Sequence, residues 1–140
     1  MNEEMRCYTF THFMLSSIQQ GIQSGHAATE LSDKYMLAEG WQNGYAEELA
    51  SWISNHKTII CLNGGNSKGL HDLYAFLSDD KNSFPFVKFH EDEDSMEGIL
   101  TSIALILPAR IFDGAARLRR QKYDPQVTVT QDHLLEEIRI

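Results

Sequence analysis

The sequence is poor in positive charge and in long apolar runs. Twelve Lys and Arg side chains stand against twenty Asp and Glu, which leaves a formal net charge of −8. Nucleic-acid binding depends on neutralising phosphates with Lys and Arg, so this balance disfavours a protein whose main task is to bind a phosphate backbone. No run reaches the roughly 18 apolar residues of a membrane span, so the sequence predicts no membrane partner.

Cysteine is also scarce. Cys7 and Cys61 are the two in the chain, and their spacing fits neither a disulfide framework nor a zinc motif. We therefore predict two buried free thiols, no metal site and no cofactor. The first ten residues lack a basic segment followed by an apolar one, which predicts no signal peptide and a cytoplasmic location.

What is present is an alternation of strand-like and helix-like segments. Strands are predicted at residues 6–13, 57–63, 84–91 and 99–108, and helices at 16–37, 41–54 and 70–77. The apolar second strand is expected to be buried on both faces, whereas Pro85 indicates that the third strand lies at a sheet edge or begins there. The order predicts a three-layer α/β fold, in which helices cover a four-stranded mixed sheet.

The predicted domain spans residues 1–114. Residues 115–140 contain "VTVT" and "HLLEEIRI" and form a predicted C-terminal extension. A β-like segment can add to a sheet edge and an amphipathic one can dock on a second subunit. This segment therefore predicts a homodimer.

The stretch "QQGIQSGHAATE" (residues 19–30) reads as helix interior, although each of its glycines costs about 1 kcal/mol relative to alanine. On a helical wheel, one side carries Gly21, Gly25 and Ala28 beside Ile18 and Ile22. That side is predicted to approach the sheet closely. The opposite side carries Gln19, Gln23, His26 and Glu30. It is either a solvated surface or a binding face.

Two segments carry a family resemblance. "IQQGIQSGHAA" (residues 18–28) resembles "GKxAAQxxHAA" of the archaeal and eukaryotic, type 2 peptidyl-tRNA hydrolases. "EGILTSIALILP" resembles the late Gly-x-x-Thr-x-x-x-x-Gly-Pro strand of the same family. The resemblance implies the same element order, with a mixed four-stranded sheet. The opening residues also resemble small proteins of large tailed bacteriophages, which implies work in the host cytoplasm.

The resemblance implies site residues one position at a time. His26 matches the family histidine, while Ser102, with Thr101 before it, falls where the active-site threonine is expected. These three are the predicted catalytic residues. The predicted ligand-binding residues are Gln19, Gln23, Glu30 and Gly98. One departure is Gln19, which stands where the family has a lysine, and an amide supplies no charge to a substrate phosphate. The other is the net charge of −8, which disfavours the tRNA that the family takes as its substrate.

Three functions follow as hypotheses. The first is a catalytically diverged binding protein for a nucleotide, another small polar ligand or a protein partner. The alternative is an active peptidyl-tRNA hydrolase in which Lys68, Lys57 or the arginines after Pro108 replace the missing lysine. The third is an assembly protein without a small-molecule site, which acts through the C-terminal extension.

Overall fold

A computed structural model describes residues 3–38, 46–79, 82, 84–91 and 98–114. Its strands are β1 (Met5–His12), β2 (Ile59–Gly65), β3 (Phe86–His90) and β4 (Leu100–Pro108). Its helices are α1 (Ser17–Ser32), α2 (Ala46–Ser51) and α3 (Ser67–Leu77). A π-helical segment follows α1 at Asp33–Ala38, and another follows α2 at Trp52–His56. The predicted C-terminal extension and residues 41–45 of the predicted second helix lie outside the described residues.

The four strands form one sheet in the order β2-β1-β4-β3. β1 pairs with β2 in parallel, and β4 pairs antiparallel with both β1 and β3. The parallel pair is joined through α1 and α2, as such a crossover requires. The predicted α/β class with a mixed four-stranded sheet is confirmed at this coarse level.

Each face of the sheet carries its own apolar core. On one face, Cys7 of β1 and Ile106 of β4 pack with α1 and α2. On the other face, Tyr8 and Leu105 pack with α3 and with the helical residues 109–114. The alternation along each strand follows the two-residue period of β structure. Helices therefore cover both faces, and β4, between two strands, is buried along its whole length.

The prediction for β2 was wrong, because β2 is an edge strand rather than one buried on both faces. Its residues alternate between exposed and half-buried positions up to Asn63, and Ile59 is exposed. The edge position of β2 also leaves Cys61 exposed, whereas Cys7 on β1 is fully buried. The run of apolar letters resembled a central strand, but only pairing order decides which strand lies at the edge. The edge position predicted for β3 from Pro85 is confirmed.

Side-chain caps begin two helices, and α3 starts three residues earlier than the sequence predicts. The Ser16 hydroxyl accepts a hydrogen bond from the Gln19 backbone N–H at 3.2 Å, at the start of α1. The Asn66 side chain accepts one from the Gly69 N–H at 2.9 Å, at the start of α3. Both satisfy N–H groups that have no partner within the helix.

The prediction that the glycine side of α1 faces the sheet was wrong. A methyl group at Gly21 or Gly25 would meet nothing within 4 Å, and neighbouring Ile18 is 77% exposed. The residues buried by α1 are Gln23, Ser24, Ala27, Ala28 and Leu31. Ala28, which was predicted on the glycine side, is therefore the one small residue of that side that is buried, together with Ser24 and Ala27. None of the described helices combines the length and apolarity needed to cross a membrane.

Gly64 is the glycine that the packing requires. It is the extra residue of a bulge in β2, since Thr11 pairs with Asn63 and His12 with Gly65. A methyl group at Gly64 would lie 2.5 Å from Leu70 Cδ2 and 3.1 Å from the backbone of β1. The backbone cannot give way as a flexible side-chain end does, so alanine would overpack this junction.

We predict opposite effects for two glycine-to-alanine substitutions. Gly64→Ala should lower the free energy of unfolding by about 1–3 kcal/mol through overpacking. Gly21→Ala should raise it by about 0.5–1 kcal/mol, because alanine favours the helix and the site is open. Urea unfolding of both variants checks this. A loss of stability in Gly21→Ala would contradict the exposure of that side of α1.

Alkaline pH should destabilise the fold through two buried groups. Burial raises the pKa of the Cys7 thiol from 9.0 to about 12 and that of the Tyr8 hydroxyl from 10.0 to about 12. Because the unfolded chain releases these protons first, stability is full below pH 9 and falls as the pH rises toward 12. The maximum slope is about 1.4 kcal/mol per pH unit for each group.

Denaturant unfolding at a series of pH values measures this slope. Cys7→Ala serves as the control, since it removes the thiol and leaves Tyr8 in place. The variant should be flatter than the wild type between pH 9 and 10, because in that interval the Cys7 thiol of the unfolded chain, with its ordinary pKa of 9.0, is ionised more fully than the Tyr8 hydroxyl, with its ordinary pKa of 10.0. Equal slopes in that interval would contradict the assignment to Cys7.

Candidate functional site

The side chain of Gln23 lies buried between α1 and the sheet, with 1% of its surface exposed. Its Nε2 donates a hydrogen bond to a Glu91 carboxylate oxygen at 2.7 Å. Its Oε1 accepts one from the Thr101 hydroxyl at 2.8 Å. A buried amide without such partners would be strongly destabilising. The three side chains join α1, the end of β3 and the start of β4.

A β-bulge aims Thr101 at Gln23. Phe89 pairs with Ser102 and His90 with Leu100, so Thr101 is an extra residue in β4. In a regular strand, neighbouring side chains point to opposite faces. Here Thr101 and Ser102 both reach α1, because the bulge redirects one of them. The Ser102 hydroxyl donates to the backbone carbonyl of Gln23 at 2.9 Å.

Further polar contacts join α1 to the sheet through Ser24, the residue after Gln23. Ser24 and Thr9 share a hydrogen bond at 2.8 Å between their hydroxyl oxygens, both in buried residues. The Cys61 thiol lies 3.4 Å from the same Ser24 oxygen. Polar contacts therefore link α1 to β1, β2 and β4, and they fix how the helix is turned about its axis.

His26 lies at the exposed rim of this cluster. Its Nδ1 is 3.4 Å from Gln23 Oε1, and its ring lies against Phe89, with 4.7 Å between the ring centroids. Gln19 is exposed two turns before His26, and Glu30 is half-buried one turn after it. These three side chains form what we call the α1 polar face. It lies above the buried Gln23 cluster.

The predicted site residues fall into three groups. Gln23, Thr101, Ser102 and His26 lie together. Gln19 and Glu30 flank them along α1. Gly98 has a φ of 72°, which favours glycine, and its carbonyl accepts from His90 Nδ1 at 2.9 Å. The catalytic and ligand-binding roles assigned to these residues stay predictions.

Two participants were missed by sequence reasoning. Glu91 was predicted as the last residue of the third strand, with no role in a site. It follows β3 directly, and its backbone N–H donates to the Ile99 carbonyl. Phe89 was likewise predicted only as part of that strand. The signal for Glu91 was its position at the end of a strand, where a side chain belongs to the sheet rather than to a solvated loop.

The described part of the site is acidic. Glu30 and Glu91 contribute carboxylates, and Lys34, one turn beyond Glu30, has its ammonium over the rings of Tyr35 and Phe86. In the described part of the chain, no three His, Cys, Asp or Glu side chains are grouped as metal ligation would require. The described cluster thus offers hydrogen-bonding groups and carboxylates rather than a cationic clamp for phosphate.

A second histidine pairs with a serine at the carboxyl ends of β1 and β2. His12 Nε2 lies 3.1 Å from the Ser67 hydroxyl, at the start of α3. The Met14 backbone N–H donates to His12 Nδ1 at 3.2 Å. Because Nδ1 accepts, neutral His12 carries its proton on Nε2 and donates it to Ser67. This arrangement does not activate the serine, which would need an acceptor nitrogen.

The chain matches no protein-family model and no curated protein sequence. The geometry therefore defines the class: an α/β protein with a mixed four-stranded sheet and a buried polar cluster between its first helix and last strand. The resemblance to the type 2 peptidyl-tRNA hydrolases stays a prediction.

The Thr101 hydrogen bond should contribute measurably to stability. Thr101→Val keeps the shape but leaves Gln23 Oε1 without its closest donor, and the free energy of unfolding should fall by about 1–2 kcal/mol. Thr29→Val is the matched control, because its hydroxyl donates to the Gly25 carbonyl on the exposed surface of α1. Urea unfolding compares the two. Equal, small losses would contradict a tightly held amide.

Proposed function

We propose that this protein binds a small polar ligand on the α1 polar face, and that it is a catalytically diverged relative of the type 2 peptidyl-tRNA hydrolases. One observation carries the proposal. The hydroxyls of Thr101 and Ser102 are fully buried, and both donate to Gln23. The groups left for a ligand are therefore the amide, imidazole and carboxylate of Gln19, His26 and Glu30.

The chemistry of the α1 polar face favours the base of a nucleotide over its phosphates. Gln19 offers both a donor and an acceptor, and the Glu30 carboxylate accepts. The His26 ring, backed by Phe89, offers an aromatic surface. No Lys or Arg of the described residues pairs with this cluster, and phosphate recognition relies on such cations.

The positions of the described basic residues also support binding over hydrolysis, whereas Arg117, Arg119 and Arg120 lie outside the described residues. Lys68 is on α3, which covers the opposite face of the sheet, and pairs with Asp72 at 2.6 Å. Arg110 follows β4 and pairs with Glu3 at 2.6 Å. Lys57 precedes β2, at the sheet edge away from β3. None of these three side chains takes the place of the lysine that the family has at the position of Gln19.

One observation favours the second candidate, an active hydrolase. The bulge in β4 aims Thr101 at Gln23, and His26 contacts the same amide oxygen. A bulge beside a site is a common way to re-aim a reactive side chain. In that role His26 would face the ester, and Thr101 or Ser102 would have to become accessible.

Release of peptide from peptidyl-tRNA distinguishes the two candidates. We expect no release above background by the wild type, because the described residues of the cluster include neither a cation nor an exposed hydroxyl. Gln19→Lys is the decisive variant, since it restores the charge at the position of the family lysine. Peptide release by Gln19→Lys, but not by the wild type, would support a site that has lost its catalytic activity. Robust turnover by the wild type would overturn the proposal.

Thermal unfolding with nucleosides and mononucleotides tests binding directly. A ligand at 100 times its Kd should stabilise the wild type by about 2.7 kcal/mol. The stabilisation should disappear in His26→Ala and Glu30→Gln but remain in Glu47→Gln, an exposed carboxylate on α2. Unchanged melting curves across the whole panel would remove the nucleotide form of the proposal.

A further inference from the structure

The amide of Gln23 has one orientation that satisfies its neighbours. The oxygens of a carboxylate such as that of Glu91 only accept hydrogen bonds. The amide atom 2.7 Å from Glu91 is therefore the NH₂ group. It follows that the oxygen of the amide faces the Thr101 hydroxyl and His26 Nδ1.

This orientation determines where neutral His26 carries its proton. An amide oxygen cannot donate, so the ring nitrogen beside it is the donor, Nδ1–H. We infer that Glu91 and Gln23 are positioning residues that hold His26 in the Nδ1–H tautomer, with Nε2 as an unprotonated acceptor. The 3.4 Å distance makes this a long hydrogen bond, reinforced because Gln23 is itself held by Glu91 and Thr101.

Two other histidines provide internal references. His12 Nδ1 accepts from the Met14 N–H, so its proton is on Nε2. His90 Nδ1 lies 2.9 Å from the Gly98 carbonyl, which only accepts, so its proton is on Nδ1. In a neutral imidazole, one ring nitrogen donates a hydrogen bond and the other accepts one. His26 should therefore resemble His90 and differ from His12.

The tautomer specifies the chemical class of ligand, and this part rests on the proposed function. Nε2 of His26 and the Glu30 carboxylate are both acceptors and lie one helical turn apart. A matching ligand presents two hydrogen-bond donors, as the exocyclic amine of adenine, cytosine or guanine does. A ligand that offers only acceptors, such as a phosphate, would leave both groups unmatched.

Long-range ¹H–¹⁵N NMR of the imidazole rings in the ligand-free protein tests the inference. Spectra are recorded at a mildly alkaline pH, where imidazoles are neutral. We expect the Nδ1–H pattern for His26 and His90, and the Nε2–H pattern for His12. A predominant Nε2–H pattern for His26 would overturn the inference, whatever the protein binds.

Two variants test the role of the positioning residues. Glu91→Gln introduces an amide that can also donate, so the orientation of Gln23 is no longer specified. Gln23→Met removes the amide oxygen. In each, His26 should shift from mostly Nδ1–H to mostly Nε2–H or a mixture, while His90 stays unchanged. If His26 kept its Nδ1–H pattern in both variants, the positioning role would be refuted.

The outcomes separate the inference from the proposed function. The tautomer is read without ligand, whereas function is read from thermal shifts with adenosine, cytidine, guanosine and uridine. An Nδ1–H pattern in His26 without any thermal shift would reject the proposed function and leave the positioning role standing. Thermal shifts with an Nε2–H pattern would do the reverse. Stabilisation by uridine equal to that by adenosine would reject the paired-donor ligand class.

Discussion

The burial of one amide, that of Gln23, sets the orientation of the first helix. An amide at 1% exposure is tolerated only when its polar atoms are bonded, and the partners of Gln23 come from β3's end and from β4. Rotating α1 about its axis would break these bonds together. The exposed positions of Gly21 and Ile18 are consequences of this constraint, since an inward Gln23 turns them outward.

The cluster depends in turn on the bulge at Thr101. Without the extra residue in β4, Thr101 and Ser102 would point to opposite faces, and only one of them could reach α1. The bulge brings two hydroxyls to one helix residue, one to its side chain and one to its backbone. Rigid elements on three sides thus hold a polar group that would be poorly ordered on a loop. Because Gln23 is held in this way, its amide oxygen has a fixed position beside His26 Nδ1.

The sequence predicted the features that depend on residues close in the chain. It did not predict the features that depend on how distant segments pair. The strands and the edge position of β3 follow from residues close in the chain. The rotation of α1 does not, because a helical wheel assigns isoleucine and glycine inward and glutamine outward. The contrary signal was the pair Thr101 and Ser102 in the most apolar strand, which require polar partners. The edge position of β2 and the bulge in β4 depend on pairing, which a single sequence does not contain.

Two histidines of the molecule are held in different neutral tautomers, His12 with its proton on Nε2 and His26 with its proton on Nδ1. His12 donates from Nε2 to a serine that it cannot deprotonate in that form. His26 turns an acceptor nitrogen outward, because its other nitrogen faces an amide oxygen. An acceptor nitrogen is suited either to recognise a donor or to remove a proton. With Thr101 and Ser102 buried and engaged, the described cluster has no exposed hydroxyl for His26 to activate, so recognition is the role that the arrangement favours.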